Sequence, residues 1–142
     1  SQLEARAGNI EKAIQSSEQT FLLAPNDIGV LFQLGLLYYQ NKDYQNAKPI
    51  LERAVSINPS YSNARYFLGL IYDREGKEEE AISQFEKIAE LNPGNQEVKQ
   101  ILENLRVGKS ALFGISPPEP EPQSRKNLPI EEGEKQKNLP TP

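Results

Sequence analysis

The sequence predicts an all-α fold, an α-solenoid of antiparallel helix pairs followed by a disordered tail. Three observations carry that prediction. Leu34-Gly35-Leu36 recurs as Leu68-Gly69-Leu70, Tyr38 as Tyr72, Ala47 as Ala81, Glu52 as Glu86 and Asn58-Pro59 as Asn92-Pro93, always at the same offset. A fixed period of that length marks a stacked repeat array rather than a closed globule. Apolar residues recur at helical spacing up to about residue 107, and Asn-Pro pairs stand where a helix must stop.

The first element opens at Gly8-Asn9-Ile10-Glu11-Lys12-Ala13-Ile14, which reads as the start of the second helix of a unit. It runs to about Leu23 and stops at Pro25, one full period before Pro59. Ser1 to Ala7 would then be the last turns of a first helix, so further repeats or another domain are expected ahead of Ser1. The next helix spans Ile28 to Gln40, with Val30, Leu31, Leu34, Leu37 and Tyr38 on the steps of one face. Asn26-Asp27 supplies its N-cap, a short side-chain oxygen for an unpaired backbone N–H. Asn41-Lys42-Asp43 turns the chain into a helix from Tyr44 to Ile57. Pro49 lies inside that helix, where it removes a hydrogen bond and predicts a kink or a frayed first turn. The layout then repeats: a helix over Tyr61 to Arg74, the turn Glu75-Gly76-Lys77, a helix over Glu78 to Leu91, and a stop at Asn92-Pro93-Gly94. Glu78-Glu79-Glu80 suits the positive end of a helix dipole. A last helix spans Gln96 to Val107, ended by Gly108.

From Lys109 the composition changes. Seven of the chain's 11 prolines and five residues of each charge fall within 109–142. Such a stretch cannot bury enough apolar surface to offset the entropy of ordering, so 109–142 reads as a disordered tail or linker. Pro117-Pro118-Glu119-Pro120-Glu121-Pro122 should be stiff and extended. Lys126-Asn127-Leu128-Pro129 recurs as Lys137-Asn138-Leu139-Pro140, either a tandem docking motif or a chance recurrence in a biased segment. Ala111-Leu112-Phe113-Gly114-Ile115 is the one apolar patch after the last helix. It is a candidate to fold back onto that helix or into a groove.

Composition narrows the function. The chain has 142 residues, a net charge of −4 and a sequence pI near 5.0. That balance argues against nucleic acid as a partner. There is no Cys and no His, which removes thiolate chemistry, the usual zinc sites and His-based acid–base catalysis. Every Asp and Glu falls at a turn, a cap or a polar helix face, so no paired catalytic carboxylates stand out. Gly108-Lys109-Ser110 has the last letters of a phosphate-binding loop without its upstream glycine or strand. The expectation is no enzyme, no metal and no cofactor. No apolar run is long enough to span a bilayer. The compartment stays open between the cytoplasm and the extramembrane part of an anchored parent.

The repeated residues resemble the tetratricopeptide repeat, whose signature is W-x2-L-G-x2-Y, then A-x3-F, then P. The middle unit supplies Leu31, Leu34, Gly35, Tyr38, Ala47, Leu51, Ala54 and Pro59. The next supplies Leu68, Gly69, Tyr72, Ala81, Phe85 and Pro93. Leu31 and Arg65 stand where the Trp would be, and Ile88 where a small residue is usual. The resemblance implies a domain over 1–108 of bacterial type. It comprises a partial unit at 1–27, units at 28–61 and 62–95, and a capping helix at 96–108, with the tail at 109–142. It also implies that Gly35 and Gly69 let paired helices approach closely, with Ala47 and Ala81 opposite them. The cap helix would turn Glu97, Lys99, Gln100, Glu103 and Asn104 to solvent.

In this family the first helix of each unit lines a concave groove. The positions left after packing is assigned are Gly29, Phe32, Leu36 and Tyr39 in the middle unit and Asn63, Tyr66, Leu70 and Asp73 in the next. Gln100 and Asn104 continue the line on the cap helix. The groove would be apolar and aromatic with a polar edge, suited to a peptide or helical segment. The competing reading is that Phe32, Leu36, Tyr66 and Leu70 pack on a neighbouring repeat or a second chain. The function expected is therefore a non-enzymatic protein-interaction module. The alternative is an assembly or spacer segment of a larger, membrane-anchored bacterial protein, such as one for surface polysaccharide. Self-association through the open N-terminal edge is a further expectation.

Overall fold

The computed structural model describes residues 2–115 and 128–132, with side chains placed from Gly8 onward. Among the described residues are six helices and no strand. They are α1 Gln2–Leu23, α2 Ile28–Gln40, α3 Tyr44–Ile57, α4 Ser62–Arg74, α5 Glu78–Leu91 and α6 Gln96–Arg106. The chain divides into two compact units, Ser1–Pro59 and Ser60–Pro142. In the first, α2 packs against α1 and α3; in the second, α5 packs against α4 and α6. The all-α architecture of helix pairs is the one expected.

The helix starts follow from local chemistry. Asp27 caps α2, its carboxylate accepting from the Val30 amide at 3.1 Å. Asp43 caps α3 through Asn46 N at 3.3 Å, and Asn95 caps α6 through Val98 N at 3.0 Å. Each such side chain satisfies an amide that the helix leaves unpaired. The start of α4 differs. Its N-cap residue is Tyr61, which makes no side-chain capping bond. Asp27, Tyr61 and Asn95 occupy the same position of successive repeats, so α4 carries a phenol where α2 and α6 carry a cap.

Close approach of paired helices comes from the two glycines. A Cβ on Gly35 would lie 2.7 Å from Leu51 Cδ2, and one on Gly69 would lie 2.6 Å from Phe85 Cε2. Leu51 and Phe85 are both fully buried. The side chains nearest the glycines are thus Leu51 and Phe85, one turn beyond Ala47 and Ala81. Helical side chains lean toward their own N-terminus, so the long chain one turn further on reaches back over the glycine. Ala47 and Ala81 are fully buried as well.

One further departure has a physical reason. Residues 2–23 form one continuous helix, not the end of one and the start of another. Gly8 inside it costs only about 1 kcal/mol relative to alanine, and no proline interrupts it. Pro49 sits on the exposed side of α3 and leaves the helix unbroken, because packing of the apolar face holds it. In the turn after α2, Lys42 takes the left-handed conformation at φ 62°, where the next unit has Gly76 at φ 75°.

In the first unit Tyr38 ties α2 to α1, its hydroxyl donating to Glu18 Oε2 at 2.6 Å. Burial first, and then this bond and the nearby Glu18 and Asp43 charges, push the Tyr38 phenol up to about 12. The neutral phenol is therefore favoured in the folded chain. The stability it contributes is present below the ordinary tyrosine range and is lost as pH rises through 10 toward 12.

These contacts generate two tests. Gly69→Ala should destabilise the chain by on the order of 1 kcal/mol, overpacking against Phe85 outweighing better helix propensity. Gly8→Ala, with nothing within 4 Å of the new methyl, should stabilise it by up to about 1 kcal/mol; urea denaturation reads both signs. Tyr38→Phe should flatten the fall in thermal midpoint between pH 10 and 12, and an unchanged slope would contradict the role of that phenol.

Candidate functional site

The residues named for the groove fall into distinct environments. On α2, Phe32 and Tyr39 are buried, with 7% and 6% exposure, while Leu36 is half-buried. Tyr39 meets Tyr44 edge-on, ring centres 5.2 Å apart. On α4, Asn63 and Tyr66 are fully buried, Leu70 nearly so, and Asp73 half-buried. Tyr66 packs edge-on against Phe67 and Phe85 at 5.3 and 5.7 Å, and its hydroxyl donates to Glu97 Oε2 at 2.9 Å. On α6, Gln100 is exposed but Asn104 is 3% exposed. Asn104 therefore does not face solvent with Lys99 and Glu103, because its amide is engaged by the chain that follows.

In the second unit, polar groups of this set hold main chain from elsewhere in the sequence. Asn104 Nδ2 donates to the Ala111 carbonyl at 2.8 Å and the Phe113 carbonyl at 2.7 Å. Its Oδ1 accepts from Gln100 Nε2 at 3.0 Å. Asp73 Oδ2 accepts from the Ala111 amide at 3.1 Å, and Ala111 is buried at 1% exposure. The apolar patch after α6 thus folds back against α6 and α4.

Asn63 holds a second segment. Its Oδ1 accepts from Ile130 N at 3.1 Å and its Nδ2 donates to Ile130 O at 2.8 Å. Both ends of one buried amide thereby read one residue's backbone. Two positions on, the Glu132 carboxylate accepts from Ser62 N at 3.2 Å, Asn63 N at 3.0 Å and Asn63 Nδ2 at 2.7 Å. The two backbone amides are first-turn donors of α4, the helix that starts without its own cap. A carboxylate there also meets the positive end of the helix dipole. The Tyr61 phenol, pushed up by burial and then by the Glu132 charge, stays neutral beside it.

The sequence reading missed Ser62, Ile130 and Glu132. The available signal was the broken cap series Asp27, Tyr61, Asn95. Residues 109–115 and 128–132, assigned from composition to the disordered tail, are placed. The proline run, the second Lys-Asn-Leu-Pro and the rest of that assignment lie outside the described residues. Among the described residues no group of three or more acidic side chains could hold a metal, and no helix is long and apolar enough to cross a membrane.

The sequence profile of the tetratricopeptide repeat family matches residues 38–105. Anaphase-promoting complex subunit 3 of Schizosaccharomyces pombe is 34% identical over 55 residues, covering 39% of this chain and 8% of that protein. The crystal structure of MamA superposes with a TM-score of 0.66 at 29% identity, over 70% of this chain and 58% of that one. The first tetratricopeptide repeat domain of Spaghetti (RPAP3), solved with an HSP90 peptide, superposes with a TM-score of 0.66 at 24% identity, over 72% of this chain and 81% of that one. The last likeness is one of fold. The chain spans less than a tenth of the anaphase-promoting subunit and under two thirds of MamA. Its period, its glycine-seated helix pairs and these matches agree: the chain carries a tetratricopeptide-repeat domain.

Proposed function

We propose that this domain is a protein-interaction module that takes a peptide or helical segment on a first-helix face of one of its units and performs no catalysis. The supporting observation is that Asn63, Asp73 and Asn104 each hydrogen-bond to main-chain groups of segments outside their own helices. Main-chain recognition is indifferent to the bound residue's side chain, so groups that hold this chain's own backbone suit a partner's as well. Asp73 and Glu97 act on this face as acceptors, for an amide and a phenol, which is binding chemistry. On α2, half-buried Leu36 offers an apolar counterpart within the first unit.

A second reading is an assembly segment. Leu22 and Leu23, at the end of α1, are 76% and 88% exposed, and one relative is a subunit of a larger complex. Light scattering separates the two: a concentration-dependent dimer lost on Leu22→Lys, Leu23→Lys favours assembly, and a monomer favours the module.

Peptide display panned against the full chain tests the module directly. Selected peptides should share a pattern and lose about tenfold in affinity, ~1.4 kcal/mol, on Leu36→Asp where the first unit holds them or on Gln100→Arg where the second does, with helical circular dichroism unchanged. Selected peptides indifferent to both substitutions would contradict the assignment of this face.

A further inference from the structure

We infer that the N-terminal end of α4 is an acceptor site for a short segment bearing an apolar residue and, two positions later, a carboxylate, and that residues 128–132 keep it closed in the resting chain. The inference rests on the module reading above and names the class of segment that one part of the face accepts.

Three independent features define what fits. The first is charge. The first helices α2 and α6 start with Asp27 and Asn95, which satisfy an amide of their own first turn. α4 starts with Tyr61, which makes no such bond. Its Ser62 and Asn63 amides are met instead by the carboxylate of Glu132, remote in sequence. Amides converging at the positive end of a helix favour an anion. The second feature is backbone. Asn63 is 0% exposed, and burying its amide unpaired would be costly. Its oxygen and nitrogen are satisfied by the N–H and C=O of Ile130. Ile130 thus offers both of its backbone groups to one side chain from within the bend at 129–130. The third is an apolar seat. Ile130 is 2% exposed, whereas Leu128 is 47% exposed and Glu131 is exposed too. Selection therefore falls on the residues at 130 and 132.

None of these contacts requires the segment to belong to the same chain. A partner carrying the same pattern would make the same hydrogen bonds and bury the same side chain. It must first displace the resident copy. A tethered segment competes at an effective concentration on the order of 1 mM. A free segment with an intrinsic Kd of about 100 μM would therefore bind the closed chain roughly tenfold more weakly than the open one.

The test uses the full chain and a fluorescein-labelled peptide with the sequence Lys126–Gly133, read by anisotropy. The wild-type chain is compared with the Ile130→Asp, Glu132→Ala chain, whose own segment no longer competes. Matching helical circular dichroism shows that both are folded. The released chain should bind the peptide at least about tenfold more tightly than wild type. A peptide carrying Glu132→Ala, or a released chain also carrying Asn63→Ala, should lose that gain. Equal binding by wild-type and released chains, or by the native and Glu132→Ala peptides, would overturn the inference. A wild-type dimer by light scattering that dissociates on Glu132→Ala would place a second copy's segment in the site and overturn closure within one chain. Peptides from display that still require Leu36 while the Lys126–Gly133 peptide fails would sink this inference and leave the module reading standing. Display that yields no such peptides would sink the module reading itself.

Discussion

The contact on which the rest depends is a helix backbone pressed against a fully buried side chain. Gly69 has no room for a methyl beside Phe85, and Gly35 has none beside Leu51. These contacts draw each helix pair together and commit one side of α2 and α4 to packing. Fully buried Leu31, Ala64, Phe67 and Ile71 belong to the same interiors. An amphipathic helix that spends one face in this way has its opposite face left for other work. In the second unit that work is hydrogen bonding to polypeptide.

The start of α4 shows how a local deficit becomes a long-range contact. A helix leaves its first amides unpaired, and burial makes that expensive. Where the repeat supplies Asp or Asn, the deficit is settled within three residues. Where it supplies Tyr61, the same amides are settled by Glu132 instead. Asn63 strengthens the arrangement because its buried side chain needs partners of its own. The apolar Ile130, seated beside this polar clamp, adds a contribution proportional to buried area. A charge, a backbone amide and an apolar side chain thus converge on one short segment.

How much of this is legible in the sequence depends on the range of the interaction. The fixed period and the Asn-Pro stops locate α2 to α6 to within a residue or so, because capping and proline effects act within a few positions. The first helix departs from the reading, since the period suggests a break near Gly8 that no local residue enforces. Groove register puts Asn63, Asp73 and Asn104 on one line. It could not show that their partners would be Ala111, Ile130 and Glu132, since composition averages over a window and docking turns on single residues. Tyr66 is legible as a first-helix aromatic. Its burial follows from Phe85 and Glu97, on two other helices.

The most direct measurement is native-state hydrogen exchange of the Ile130 amide in the full chain. That amide donates to Asn63 Oδ1 from a buried residue, so it should exchange well below the unfolded rate and should lose its protection on Glu132→Ala while α5 amides keep theirs. Exchange at the unfolded rate in the wild-type chain would contradict the account.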